Sequence, residues 1–205
     1  MKWTRDVKAE KELYDRVRGK YTHEREGLHL SDLVRCLTAT WYEQYDPLPI
    51  TDKEASYFSI GFALEEVLLR DNNNPPEVKE LGGVLLSKDY ITLNNKPLDL
   101  KSTRMYPDID GSPKKPKSAP AEQSNWPEHW LRQFKYYTLE HYSPLVDQQE
   151  YYDFQVAIMY LGAAQLVVGT LSFTPSELIE NYYYIQQRKE TYASFKDCYF
   201  TYKPV

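Results

Sequence analysis

The stretch KDYITLNNKPLDLKST, Lys88–Thr103, contains two strand-like runs on either side of an Asn-Asn pair. Asparagine tolerates the backbone conformations of tight turns, so this pattern predicts a β-hairpin. On the second strand, alternation places the side chains of Asp99 and Lys101 on one face. Leu98 and Leu100 then point to the other face, where they can pack. The stretch therefore predicts a sheet with a charged pair on one of its strands.

A second carboxylate belongs to the same hairpin. Asp89 lies ten residues before Asp99, and the turn could fold it back beside Asp99. Two adjacent carboxylates repel each other unless a cation joins them, and hard oxygen ligands favour Mg²⁺ or Mn²⁺. Such an ion would bind a phosphate and lower the pKa of a bound water, while Lys101 orients that water or neutralises developing charge. The alternative is a simple charge pair on a strand surface, which is the commoner outcome for an isolated Asp-x-Lys.

The rest of the chain predicts helices around this sheet. Apolar spacing and turn residues predict an α/β fold with a small mixed central sheet flanked by helices. One helix is expected to begin at a Ser31 cap, and the last at Thr174, with Pro175 at its first position and Glu177 completing a capping box. Helices are predicted at 5–20, 28–45, 52–71, 128–142 and 174–195, strands at 79–93 and 96–103, and one or two strands at 152–173.

Length and composition limit the possible domain organisation and class of the protein. The 205 residues suit a single domain, 1–205, with an N-terminal helical extension at 1–28 and a flexible internal loop at 104–127 that is rich in Pro, Ser and Lys. The net charge of -5 argues against a general nucleic-acid coat, although local patches can still bind phosphate. The sequence contains no run of about 18 apolar residues, so no membrane span is predicted. The charged N-terminus lacks the apolar segment of a signal peptide. A cytoplasmic location is therefore expected.

Four segments, in this order, resemble the RecB-like branch of the PD-(D/E)xK nuclease superfamily, especially the CRISPR-associated and phage RecB-type exonucleases. They are HLSDLVRC (29–36), GFALEE (61–66), SKDYITLNNKPLDLKST (87–103) and QFKYY (133–137). The resemblance covers about residues 29–170 and implies a restriction-endonuclease-like core. No single motif is specific, but the four together in sequence order are.

The resemblance also implies roles for individual residues. Asp89 and Asp99 would bind Mg²⁺ or Mn²⁺, and Glu65 stands where the family usually has a histidine ligand, with Glu66 as the second choice. Lys101 would act on the attacking water. The segment from Gln133 to Tyr137 matches a Gln-x-x-x-Tyr motif, whose glutamine would contact the lysine or a DNA phosphate and whose tyrosine would contact the DNA backbone. An ordinary solvated helix face is the alternative for Glu65, Gln133 and Tyr137.

DNA contacts are predicted at Arg35 and in the basic loop at Lys114, Lys115 and Lys117, where a solvated linker is the alternative. Tyr182, Tyr183 and Tyr184 could stack on bases, although partly buried packing is commoner for such a run. His29 is expected to pack at a helix entry rather than to bind a metal.

Two features depart from the family. Many CRISPR-associated members hold an iron–sulfur cluster with one N-terminal and three C-terminal cysteines, but this chain has only Cys36 and Cys198, so no cluster is predicted. The other departure is Glu65 in place of histidine. The main hypothesis is a Mg²⁺- or Mn²⁺-dependent deoxyribonuclease that acts on DNA ends or single strands in phage or prokaryotic DNA processing. The alternative is a nuclease-fold subunit that binds DNA or a protein partner without cutting, and self-association is left open.

Overall fold

The structure is a computed structural model, and it describes residues 11, 15, 26–46, 48–68, 78–87, 90–91, 95–114 and 125–202. The helices in this part of the chain are α1 (Leu30–Val34), α2 (Leu37–Tyr45), α3 (Asp52–Leu68), α4 (Glu128–Tyr142) and α5 (Pro175–Tyr202), with a short 3-10 helix at Ser143–Leu145. The strands are β1 (Val78–Leu81), β2 (Val84–Ser87), β3 (Tyr90–Ile91), β4 (Pro97–Thr103), β5 (Tyr152–Tyr160) and β6 (Gln165–Phe173). The predicted N-terminal extension lies almost entirely outside the described residues.

The central sheet has four strands in the order β3, β4, β5, β6. β4 and β5 run parallel, while the outer pairs are antiparallel. A parallel pair needs a crossover, and α4 is the helix of that crossover. The predicted class, an α/β fold with a small mixed sheet flanked by helices, is confirmed.

The antiparallel strand pairing predicted for the Asn-Asn hairpin is present among the described residues. Tyr90 pairs with Leu98 and Ile91 with Pro97 in antiparallel register. Asn95 adopts a φ of 56°, the left-handed conformation that asparagine tolerates better than most residues. Asp89, the candidate metal ligand that precedes this strand, lies outside the described residues.

The preceding apolar segment is not one strand but a separate hairpin. β1 and β2 form their own two-stranded sheet, joined by a turn at Gly82 and Gly83. Both glycines have positive φ, 57° and 73°, which marks the turn that the sequence prediction overlooked. Lys189 of α5 donates to the Gly82 carbonyl at 2.8 Å and ties this turn to the last helix.

The sheet has two unequal faces. On one face, Val156 and Ile158 of β5 join the main core, where Phe134 of α4 is completely buried. On the opposite face, Leu98, Leu100 and Ala157 form a small cluster that Leu64 of α3 covers. Because side chains alternate along β4, the leucines anchor the strand on the α3 side and leave Asp99 and Lys101 on the α4 side.

The helix predicted at 28–45 is broken in two, and Ser31 is not its cap. His29 occupies the N-cap position, where its backbone N–H donates to Asp32 Oδ2 at 3.0 Å. The chain becomes extended at Arg35 and restarts at Leu37. The break is stabilised by a residue far along the chain, because the Arg188 guanidinium donates to the backbone carbonyls of Leu33 and Arg35. Local sequence does not reveal this contact.

The remaining elements follow the sequence closely. α4 has the predicted bounds, and α5 begins as expected. Thr174 N–H donates to Glu177 Oε2 at 3.0 Å, and Glu177 N–H donates to Thr174 Oγ1 at 3.3 Å, which completes the predicted capping box. The first part of the segment predicted as a flexible loop, residues 104–114, forms a hydrogen-bonded turn in which Lys114 N–H donates to the Tyr106 carbonyl at 2.8 Å. No helix among the described residues is both long and apolar enough to span a bilayer.

Candidate active site

The centre of the candidate site is a charged pair on β4. The Lys101 Nζ lies 2.6 Å from Asp99 Oδ2, and the two side chains are 18% and 2% exposed. Their partners in β5, Ile158 and Val156, are buried apolar residues beside them on the same face. A carboxylate with almost no access to solvent therefore depends on one partly exposed ammonium group.

The buried position disturbs the carboxylate. Burial raises the pKa of Asp99, and the charge of Lys101 opposes that rise without cancelling it. The Lys101 ammonium, 2.6 Å away, is the charged partner of Asp99 Oδ2. A carboxylate has about four lone-pair sites, so a carboxylate with this one cationic partner could also coordinate a divalent cation.

Helix α4 holds the lysine from the other side. Lys101 Nζ donates to Gln133 Oε1 at 3.0 Å, and Gln133 Nε2 donates to the Tyr137 hydroxyl at 2.8 Å. The tyrosine fixes the orientation of the amide, since the amide nitrogen donates to it and the amide oxygen is left facing the ammonium. Tyr137 is itself buried and stacked on Phe154, with ring centroids 6.3 Å apart. The predicted Gln-x-x-x-Tyr pair thus lies against the predicted Asp-x-Lys pair.

The third predicted metal ligand lies on a different element. Glu65 is exposed and follows Leu64 on α3, the helix that packs on the Leu98 and Leu100 side of β4. An ideal Cβ at Gly61 of this helix would be 3.9 Å from Ser102 Oγ, which places the helix near the carboxyl end of the strand. Glu65 and its neighbour Glu66 therefore approach from the face opposite to Asp99, and their part in metal binding stays a prediction.

The described residues contain no group of three His, Cys, Asp or Glu side chains placed to share one ion. Asp89 is not one of the described residues, so the predicted pairing of Asp89 with Asp99 at an ion stays a prediction. Within the described residues, the Asp99 carboxylate is the oxygen ligand that the site offers on this face. One hard anionic oxygen of this kind fits Mg²⁺ or Mn²⁺.

The candidate DNA contacts are on segments other than β4 and α4. Arg35 forms an ion pair with Glu43 at 2.7 Å, and both side chains are at least half exposed. Lys114 is exposed at the end of the 104–114 turn, while Lys115 and Lys117 lie outside the described residues. A DNA-binding role for these four basic residues stays a prediction.

The tyrosine run divides between packing and exposure. Tyr182 stacks on Tyr136 with centroids 6.1 Å apart, and Tyr184 lies under the Arg132 guanidinium at 4.0 Å. Tyr183 is 67% exposed, so it alone of the three is open to a stacking partner. Two of the three residues therefore serve the packing of α5 against α4.

Cys36 is exposed at the N-cap of α2, where hydrogen bonding from the backbone N–H of Ala39 lowers the pKa of its thiol. The side chain of Cys198 is outside the described residues. The predicted absence of an iron–sulfur cluster stays a prediction.

Sequence reasoning did not single out His129, one turn before Gln133 on α4. Its imidazole is at the surface, yet its pKa is lowered, first by partial desolvation and then by the charges of Lys101 and Arg35. The signal available in the sequence was the spacing His129, Gln133, Tyr137, which repeats every four residues along one helix face.

No protein-family model matches the sequence, and no curated protein matches it. Among solved structures, the chain is similar to the protein in the crystal structure of SSO0001, with a TM-score of 0.51 and 17% sequence identity. The similarity covers 86% of this chain and 85% of that chain. At this identity the similarity shows a shared fold, and it extends over nearly the whole of both chains.

Proposed function

We propose that the protein is a Mg²⁺- or Mn²⁺-dependent deoxyribonuclease of the PD-(D/E)xK type. The observation that carries the proposal is the charged pair itself: Asp99 is 2% exposed, and Lys101, which also donates to Gln133, lies 2.6 Å from its carboxylate. A structural ion pair alone would gain little from burying a carboxylate whose pKa is raised, because desolvation of the charge costs stability. A bound cation would offset that cost.

In this proposal, different residues bind the ion and act on the attacking water and the phosphate. Asp99 would hold the metal with Asp89, and the ion would supply polarisation of the phosphate and a lowered pKa for a bound water. The Lys101 ammonium then faces the reacting phosphate, where it orients the attacking water and neutralises charge on the non-bridging oxygens. Water is consumed, the bond between phosphorus and the leaving oxygen breaks, and a phosphate monoester and a hydroxyl group result.

Gln133 and Tyr137 position the lysine rather than react. The amide oxygen accepts one of the three ammonium hydrogens, the Asp99 carboxylate lies 2.6 Å away on another side, and the third hydrogen is available for substrate. Because the amide is fixed by Tyr137, the ammonium is restrained before the substrate arrives. DNA is the proposed substrate, cut from ends or in single strands.

The test compares wild-type protein with Lys101→Ala on end-labelled single-stranded and double-stranded DNA, in Mg²⁺ and in Mn²⁺. The matched control is Lys96→Ala, since Lys96 flanks the same strand and forms a 2.6 Å ion pair with Asp153 instead. We expect cleavage by wild type and Lys96→Ala and a loss of at least about 100-fold in Lys101→Ala, the scale of removing one transition-state charge partner.

Circular single-stranded DNA separates the two modes of attack, because an enzyme that needs an end leaves it intact. Equal cleavage by wild type and Lys101→Ala would refute the site assignment. Tight DNA binding by wild type with no cleavage in either metal would replace the nuclease by the binding subunit considered above.

A further inference from the structure

Arg104 is the residue that follows the last residue of β4, and its side chain is exposed. The guanidinium carbon of Arg104 lies 3.8 Å from the centroid of the Tyr57 ring on α3. A guanidinium within about 6 Å of a tyrosine ring is attracted to the face of that ring. The ring therefore restrains a positive charge that is otherwise open to solvent.

A second contact agrees with this placement of α3 along β4. An ideal Cβ at Gly61 would be 3.9 Å from Ser102 Oγ. Tyr57 is one helical turn before Gly61 and on the same face of α3. One turn toward the start of α3 thus corresponds to two residues toward the carboxyl end of β4, and the contact between Tyr57 and Arg104 lies just past that end.

This is the carboxyl end of the parallel pair β4 and β5. Leu161, the residue after β5, donates its backbone N–H to the Thr103 carbonyl at 2.8 Å, so the two strands end side by side. Open α/β sheets bind their ligands outside the carboxyl ends of parallel strands. Lys101 is three residues before Arg104, and backbone geometry limits the distance between their Cα atoms to about 11 Å.

Arg104 forms no ion pair with a carboxylate among the described residues. Several other basic side chains do form such pairs, at distances between 2.6 and 3.2 Å: Lys96, Arg132 and Lys135. The acidic residues that follow Arg104, Asp108 and Asp110, accept hydrogen bonds from their own turn. The guanidinium can therefore use its N–H donors for an external anion, and its planar fork matches two oxygens of a phosphate.

We propose that Arg104, held by the Tyr57 ring, binds a backbone phosphate of a DNA strand at least one nucleotide away from the bond being cut. The inference rests on the proposed function and deepens it, because it states where the substrate strand lies. Lys101 contacts α4, whereas Arg104 contacts α3, so the two cations fit two phosphates of one strand better than a single phosphate. A strand that crosses the carboxyl end of β4 reaches both.

The experiment measures binding of a fluorescently labelled single-stranded DNA oligonucleotide to the full-length protein at pH 7, in EDTA, over a series of salt concentrations. In Arg104→Gln, we expect a dissociation constant about 3- to 10-fold higher than in wild type. The slope of log affinity against log salt should fall by about 0.7, the value for one lost single-strand phosphate contact.

Two further variants control for charge and for local folding. Arg104→Lys keeps the charge, so its salt slope should equal that of wild type, which a disturbed fold would not produce. Lys96→Gln removes one positive charge from the opposite end of the same strand, where Lys96 is paired with Asp153 at 2.6 Å. Its affinity and salt slope should be those of wild type.

Cleavage kinetics give a second readout. A phosphate contact away from the reacting bond predicts a raised KM with kcat largely retained in Arg104→Gln, unlike the loss of kcat expected for Lys101→Ala. Wild-type affinity and salt slope in Arg104→Gln would overturn the contact, as would failure of the wild-type protein to bind the oligonucleotide.

The two proposals fail in different ways. Binding that depends on Arg104 without any cleavage would refute the nuclease and keep the phosphate contact. Cleavage that depends on Lys101 but is indifferent to Arg104 would keep the nuclease and refute the contact.

Discussion

Asp99 and Lys101 leave the same face of β4, and the ammonium lies 2.6 Å from a carboxylate that is only 2% exposed. Burial still raises the pKa of Asp99 despite the adjacent ammonium. In the folded state, the ionised carboxylate is therefore unfavourable when no cation is bound. Function and stability oppose each other at this residue, which makes them separable by experiment.

Asp99→Asn should abolish cleavage without unfolding the protein. The substitution keeps the shape of the side chain and removes the charge whose burial is costly, so the midpoint of thermal unfolding in EDTA should equal or exceed that of wild type. In wild type, Mn²⁺ should raise this midpoint, because an ion that binds only the folded state stabilises it. In Asp99→Asn, this rise should be absent, as thermal unfolding monitored by circular dichroism with and without Mn²⁺ can show.

Asp153→Asn is the matched control for that experiment. Asp153 also pairs with a lysine at 2.6 Å, but its side chain is 36% exposed and it accepts a hydrogen bond from Ser172. This variant should keep both cleavage and the Mn²⁺-dependent rise. The same rise in Asp99→Asn as in wild type would remove Asp99 from the metal site.

Gln133, which contacts Lys101 directly, should contribute more to the rate than Tyr137, which acts through Gln133. Gln133→Ala removes the acceptor that restrains the ammonium and should lower kcat by about 10- to 100-fold, with a smaller change in KM. Tyr137→Phe keeps the buried ring and removes only the hydroxyl that orients the amide, so a loss of about 3- to 10-fold is expected. Steady-state cleavage of a labelled oligonucleotide measures both.

Tyr142→Phe is the matched control for Tyr137→Phe. Tyr142 is on the same helix, and its hydroxyl donates to the Asp153 backbone carbonyl at 3.3 Å, away from the lysine. Its kcat should match that of wild type. If Tyr137→Phe lost as much rate as Gln133→Ala, the tyrosine would have to contact the substrate itself.

Geometry set by residues close together in the sequence could be predicted from the sequence, whereas contacts between distant residues could not. Alternation along β4 was enough to separate Asp99 and Lys101 from Leu98 and Leu100, because strand geometry is local. The i, i+4 spacing was likewise enough to put Gln133 and Tyr137 on one face. That this face meets Lys101 rested on the resemblance, since the contact joins residues 32 positions apart.

The errors came from contacts over long sequence distances and from short turns. The helix break at Arg35 is stabilised by Arg188, which lies more than 150 residues further along the chain, so no local pattern predicted it. The Gly82-Gly83 turn was visible in the sequence, but the apolar residues on both sides suggested one strand. His129 was overlooked because its lowered pKa reflects partial desolvation and charges on other elements, which the local sequence does not reveal.

Arg188 should be important for stability although it is remote from the charged pair. Its guanidinium donates to the carbonyls of Leu33 and Arg35 and also contacts the Tyr184 ring, 5.6 Å from its centroid. Arg188→Met should lower the free energy of unfolding by about 1.5–3 kcal/mol, the range for hydrogen bonds from a charged donor. Arg188→Lys should recover little of this, because a single ammonium lacks the planar fork that reaches two carbonyls. Urea denaturation followed by circular dichroism gives these values.

Lys79→Met is the reference for the loss of a less constrained cation. Lys79 is 3.6 Å from Glu140 in a pair whose lysine side chain is 40% exposed, so less than about 1 kcal/mol should be lost. Similar losses in Lys79→Met and Arg188→Met would mean that the helix break does not need the arginine.

The start of α5 should contribute a part of the stability that depends on pH. The backbone N–H of Thr174 is the main cause that holds the pKa of Glu177 below its usual range. A carboxyl group whose pKa is lower in the folded state stabilises above its unfolded value, about pH 4.3, and loses that contribution as the pH falls through the folded value. Since the Glu177 side chain is 44% exposed, Glu177→Gln should cost less than about 1 kcal/mol at pH 7 and nearly nothing at pH 3.

Thr174→Ala separates this charge effect from capping itself. The threonine hydroxyl accepts from the Glu177 N–H at 3.3 Å, so its removal should cost about 1 kcal/mol at both pH values, as for other N-cap residues. Urea denaturation of wild type and the two variants at pH 7 and pH 3 makes the comparison. If the cost of Glu177→Gln stayed the same at pH 3, the glutamate would stabilise α5 through contacts other than its charge, and the capping box would be the wrong explanation for its lowered pKa.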